Sequence, residues 1–198
     1  FPDAGGPFRG ETTLQFAGRL GDQRRPGLTR ALGHLAASPA WDEPLLARLV
    51  NDLALQTERL LQRMPDSINW RIACADSVLV TALRLRFWPA ASEWARQATA
   101  ILNDAYHRQF HADGSHYEHT PNYHTWMTYI MTGLWTLGRN RPDLELVMEA
   151  DAVARMWDYA LSCTRPNGSF NGLHDCRTRN QGPYGMGHDA FPVAADRR

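Results

Sequence analysis

Asp42–Met64 reads DEPLLARLVNDLALQTERLLQRM, and this stretch decides the fold class. Its apolar residues Leu46, Leu49, Val50, Leu53, Leu60, Leu61 and Met64 fall at i, i+3, i+4 and i+7 spacing, one face of a helix. A half-buried strand would alternate with period two, which this stretch does not do. Pro65, which lacks the amide hydrogen a helix interior needs, ends it.

The same pattern extends in both directions. Upstream, residues 1–26 are rich in Gly, Pro and Arg and read as an irregular lead-in, with a short helix expected from Leu28 to Ala37. Downstream, Asp66 or Ser67 can cap a helix running to about Phe87, and Pro89 breaks the chain before another from Ala90 to Phe110. His111–His119 is a polar loop with a turn at Asp113-Gly114. Thr120-Pro121 places a capping residue ahead of Pro at the first helical position, and that helix runs to about Leu137. A last helix is expected from Asp143 to Cys163, followed by Gly, Pro, Asn and His without a period.

Strand signals are nearly absent, so the chain reads as all-α. Helices of about 20 residues are ~30 Å long, and short connections between matched lengths fold them into antiparallel hairpins. Over residues 27–198 such matched hairpins suit either a helical bundle or a ring of helix pairs, an incomplete (α/α) toroid. No fixed-period repeat is visible, which disfavours a tetratricopeptide-type solenoid.

Composition narrows the partners. The 198 residues are 43% hydrophobic and 21% charged, with a formal net charge of zero. That balance gives no reason to expect nucleic acid or an anionic membrane as partner. No run of about 18 apolar residues is present to span a bilayer. All 21 basic residues are Arg, the side chain that meets carboxylates in a bidentate fork. Cys74, Cys163 and Cys176 have no paired spacing and read as buried thiols. The sequence opens without Met and without the basic-then-apolar stretch of a signal peptide, so Phe1 is expected to be a cut or processed start and the chain reads as a fragment.

In an up-down array, three connecting segments fall at one end: Pro65–Arg71, His111–His124 and Thr164–Arg177. The second, HADGSHYEHTPNYH, has four His in fourteen residues. The third reads TRPNGSFNGLHDCR. Asn69 and Tyr123 both lie in the first turn of a helix, where free amides and the positive dipole end favour anions. A carboxylate would be attracted there, and the tyrosinate form of Tyr123 is expected to be favoured.

On these residues the chain resembles the heparinase II/III-like polysaccharide lyases, a family that includes oligoalginate lyases. The likeness covers roughly Asp66 to Asp175. It rests on DGSHYEHTPNYH, on Asn69-Trp70-Arg71 upstream of it, and on PNGSFNGLHD, which is similar to the family's Pro-x-Gly loop ending in Asp. The resemblance implies an (α/α) toroid followed by a β-sandwich, a periplasmic or secreted enzyme, no cofactor, and an acidic polysaccharide or oligosaccharide as substrate. It implies that Tyr123 exchanges protons with C5 and with the leaving O4, and that Asn69 hydrogen-bonds the uronate carboxylate. Arg71, Trp70, His116, Glu118, His124 and His174 are the implied substrate contacts. Two departures stand out: Trp70 replaces a His found in several members, and these residues contain no β-sandwich to supply the family's second catalytic His or Tyr.

Each residue also has a plainer reading. Tyr123 can be a packing aromatic, Asn69 a cap, and His124 a structural hydrogen bonder. Glu118 can brace the loop against an Arg such as Arg71. His116 and His119 suggest a metal, but no third ligand accompanies them, so no metal site is expected. Trp126, Trp135 and Trp157 sit where core residues sit. Three function classes follow: a uronate lyase, a glycoside hydrolase using two of Asp113, Glu118 and Asp175, or a non-catalytic domain that binds acidic glycans.

Overall fold

The computed structural model describes residues 42–66 and 68–176, which divide into two compact units at Leu102/Asn103. Ser67, the expected Leu28–Ala37 helix, the lead-in and the last residues lie outside the described part. The described residues form five α-helices and no strands. The fold class is all-α, with helical hairpins of the (α/α) toroid type.

The first unit contains α1 (Glu43–Gln62), α2 (Ile68–Arg84) and most of α3 (Ala91–Gln109). The Asp42 side chain caps α1 by accepting the amide of Leu45 at 2.7 Å. One stripe of α1 is interior: Leu53, Ala54, Thr57 and Leu60. By contrast α2 is buried on most of its circumference, from Ile72 through Cys74 and Val78 to Ala82. Its buried hydroxyls are satisfied within the helix, Ser77 donating to the Ala73 carbonyl and Thr81 to that of Ser77.

The second unit holds the end of α3, then α4 (Pro121–Asn140), a 3₁₀ turn (Pro142–Leu144) and α5 (Ala150–Ser162). α4 and α5 are antiparallel. His124 near the start of α4 meets Tyr159 near the end of α5, with ring centres 4.8 Å apart. Further along α4, the Trp157 indole donates to the Thr132 hydroxyl at 3.0 Å. Of the three tryptophans expected in the core, Trp157 is buried, whereas Trp126 and Trp135 are half-buried.

The helix expected from Asp143 does not start there. Glu145 adopts a left-handed conformation, φ 53°, and the chain stays irregular to Glu149. Long-range contacts outweigh helix propensity in this linker. The Asn103 amide donates to the Glu145 carbonyl at 2.9 Å and its oxygen accepts the Val147 amide at 3.2 Å. Leu144 and Met148 are buried on either side and pin the segment.

Two turns of the second unit are built alike. After α3, Phe110 bridges His116 across a tight reversal in which Asp113 accepts both the amide and the hydroxyl of Ser115. After α5, Thr164 bridges Phe170 across a reversal in which Asn167 accepts the same pair of groups from Ser169. Gly114 and Gly168 follow the Asx residues with φ of 89° and 78°. The repeat missed at whole-chain level is therefore present in the loops that carry the unusual residues.

Candidate active site

The repeated turn explains His116. It occupies the place that Phe170 holds in the second turn, and both side chains are fully buried. The His116 Nε2 lies 3.1 Å from Gln109 Oε1, and its Nδ1 accepts the Glu118 amide at 3.4 Å. His124, also with no exposed surface, accepts the His116 amide on Nδ1 at 3.2 Å and donates from Nε2 to the Met156 carbonyl at 2.8 Å. In each ring one nitrogen faces a donor and the other an acceptor, the pattern of neutral imidazole.

Burial pushes the His116 pKa down to about 3, aided by neighbouring histidines. It pushes His124 down to about 4, against the favourable Met156 carbonyl. The His116 ring also lies 3.9 Å from the Glu118 carboxylate, but a neutral ring makes no ion pair there. Neither histidine offers surface to a ligand, so the direct substrate contact expected of them gives way to an interior role: they hold the loop to α4 and α5.

Tyr123 is placed differently. It stands in the first turn of α4, half-buried, and its hydroxyl donates to Oδ2 of Asp175 in the last loop. Thr120 is at the capping position, but its hydroxyl donates to the Glu118 carbonyl instead of capping α4. The Tyr123 pKa is raised to about 12, chiefly by the bond to Asp175, then by burial and the Asp175 and Glu118 charges. The lowered pKa expected from the helix terminus is thus reversed. An acceptor carboxylate in contact holds the phenol proton more strongly than a helix dipole releases it.

His174, just before Asp175, is exposed and adopts φ 54°. Its ring lies 6.4 Å from that of His119, so the second and third expected segments do meet. Asn69, Trp70 and Arg71 belong to the first unit. Asn69 is 4% exposed in the first turn of α2, next to Ile68, which has φ 63°. Arg71 donates from Nη1 to the Pro65 carbonyl at 2.8 Å, tying α2 to the end of the preceding connection. The sequence offered Asp175 as the end of the Pro-x-Gly loop and as a candidate hydrolase carboxylate, and nothing local signals that it meets Tyr123. Among the described residues no group of three or more His, Cys, Asp or Glu side chains is arranged to hold a metal ion.

The helical hairpins agree with the comparisons to known proteins. The family described as heparinase II/III N-terminus matches residues 12–193. The chain belongs to the heparinase II/III family. Among solved structures, heparinase III superimposes with a TM-score of 0.68 at 18% identity, over 79% of this chain and 24% of that one. Heparan sulfate lyase HepC from Pedobacter heparinus gives 0.60 at 18% identity, over 80% and 24%. The chain therefore spans about a quarter of the length of each. No curated protein sequence matches it.

Proposed function

We propose that the protein is a polysaccharide lyase that cleaves a uronate-containing polymer, of alginate or glycosaminoglycan type, by β-elimination. The single observation that carries this reading is the Tyr123–Asp175 hydrogen bond. The C5 proton of a uronate becomes acidic only when its carboxylate is neutralised, the role that the family resemblance implies for Asn69. Donors aimed at charge that develops in the transition state each supply about 3 kcal/mol. Tyr123 takes the C5 proton while its own passes to Asp175. The electron pair forms the C4–C5 double bond, the C4–O4 bond breaks, and O4 leaves with a proton returned through Tyr123. His174 offers a contact beside the pair.

The carboxylates argue for elimination over hydrolysis. Asp113 accepts two bonds inside its own turn, and these hold its pKa low. Asp175 is engaged by Tyr123. A hydrolase needs two carboxyl groups facing the scissile bond, one of them readily protonated. In our reading a β-sandwich that follows this domain supplies the remaining catalytic His or Tyr, and the enzyme works in the periplasm or outside the cell. No helix among the described residues is long and apolar enough to cross a membrane.

The test is ultraviolet absorbance of unsaturated uronate, measured with the full-length protein on alginate and glycosaminoglycan substrates, beside a Tyr123→Phe variant. Absorbance that rises with the wild type and not with the variant supports the assignment. Reducing ends that accumulate without absorbance would show a hydrolase instead. Binding without turnover would show a glycan-binding domain.

A further inference from the structure

Three imidazoles of the second unit lie in a row on its surface. His111 and His119 stack with ring centres 5.7 Å apart and planes 12° from parallel. His119 and His174 follow at 6.4 Å and 35°. All three are exposed, so core packing does not account for the arrangement. His119 and His174 hold left-handed backbone, φ 52° and 54°, a conformation that costs energy in any residue but glycine and collects at ligand sites.

The two ends of the row differ. His174 is followed by Asp175, which accepts the Tyr123 hydroxyl. His111 instead lines an open cavity of about 300 Å³ with Tyr106, His107, Glu149 and Arg155. His107 sits in the last turn of α3, and the Tyr106 and His107 rings are 5.0 Å apart. The cavity lining thus combines the aromatic residues Tyr106 and Phe110 with Arg155, His107 and His111, and Glu149 is its acid. Aromatic faces suit the apolar side of a sugar ring, and guanidinium and imidazole N–H groups suit a carboxylate or sulfate.

We propose that His174, His119 and His111 form a track that leads an acidic polysaccharide from the Tyr123–Asp175 pair into the His107–Arg155 cavity, which binds an acidic sugar remote from the scissile bond. The direction of the track rests on the lyase reading; the anion-binding cavity does not.

The experiment uses the full-length protein, a His111→Ala/Arg155→Ala variant, and a His119→Ala variant that interrupts the row without altering the cavity. Binding of hexasaccharides and disaccharides of alginate and of heparan sulfate is measured by calorimetry, together with KM for long chains and the thermal midpoint. Loss of charge-assisted hydrogen bonds should weaken hexasaccharide binding and raise long-chain KM about tenfold, with disaccharide binding changed less than about twofold. The same loss on both polymers assigns carboxylate recognition, and a loss on heparan sulfate alone assigns sulfate. Equal effects on short and long ligands, or none in folded variants, overturn the track. If no substrate yields unsaturated product while hexasaccharide binding still depends on His111 and Arg155, the lyase reading fails and the cavity stands.

Discussion

The Tyr123 hydroxyl donates its hydrogen bond to Asp175, a residue of the turn that closes the last described loop. That pairing gives the tyrosine a proton acceptor in contact while holding its pKa near 12. A free tyrosinate is therefore scarce at neutral pH, and basicity must come from the pair as a unit.

Replacing Asp175 with Asn should separate acidity from relay. Without the carboxylate, the Tyr123 pKa falls toward the ordinary value of about 10. Ultraviolet titration of tyrosinate, taken as the difference from Tyr123→Phe, should show that downward move. Turnover at neutral pH should drop by about 10²-fold, because a positioned proton acceptor is lost. Turnover in Asp175→Asn equal to wild type would remove Asp175 from the reaction.

Of Gly114, Gly133, Gly138 and Gly168, Gly114 leaves the least room for a side chain. A Cβ there would lie 2.4 Å from the Arg155 carbonyl carbon and 2.6 Å from the Met156 nitrogen, all backbone, at a φ of 89°. Gly114→Ala should cost about 3 kcal/mol or more through combined clash and strain. Gly168→Ala at the equivalent turn meets nothing within 4 Å and should cost only the price of its φ of 78°, about 1 kcal/mol. Thermal or urea unfolding of the two variants measures the difference.

The helices were legible because amphipathic periodicity is a local property. α1, α2, α3 and α4 begin within a residue or two of where the sequence places them. The start of α5 was not legible, since Asn103, far away in the chain, holds the linker through its side-chain amide. Within the site, the sequence brought out Tyr123 through its Thr-Pro-x-Tyr helix start. It could not show the direction of the Tyr123 pKa, which depends on a partner in another loop. Nor could it separate buried from exposed histidines in one loop. His116 turns inward as the counterpart of Phe170, whereas His111 and His119 stack outside. The matching Asx-Gly-Ser turns carry that distinction, and they are visible in the sequence once the fold supplies their alignment.

The indole of Trp157 is worth a hydrogen bond as well as volume. Its donation to Thr132 is buried, so Trp157→Phe leaves the threonine hydroxyl without that donor and a small void beside Tyr129, whose ring is 5.4 Å away. A loss of about 2 kcal/mol is expected. Thr132→Val, which removes the acceptor that the indole N–H uses, should cost a similar amount, and the double variant less than the two combined. Chemical denaturation of the four proteins completes the cycle.

Acid should unfold this domain through His116 and His124. Both are neutral when folded, with pKa values of about 3 and about 4, against an unfolded value near 6.5. Below pH 6.5 the unfolded chain takes up protons that the folded chain refuses, so stability is full above that pH and falls as pH drops toward 4. Each histidine contributes roughly 2 kcal/mol of loss between pH 6 and pH 4, against a total stability of about 5–15 kcal/mol. The structural cause is specific: protonating His124 sets a new Nδ1–H against the His116 amide, and protonating His116 does the same against the Glu118 amide. His124→Gln, which can still accept from His116, should be less stable at pH 7 yet lose less further stability between pH 6 and pH 4. Urea unfolding across that range decides it: a slope unchanged by the substitution would mean that other groups govern acid sensitivity.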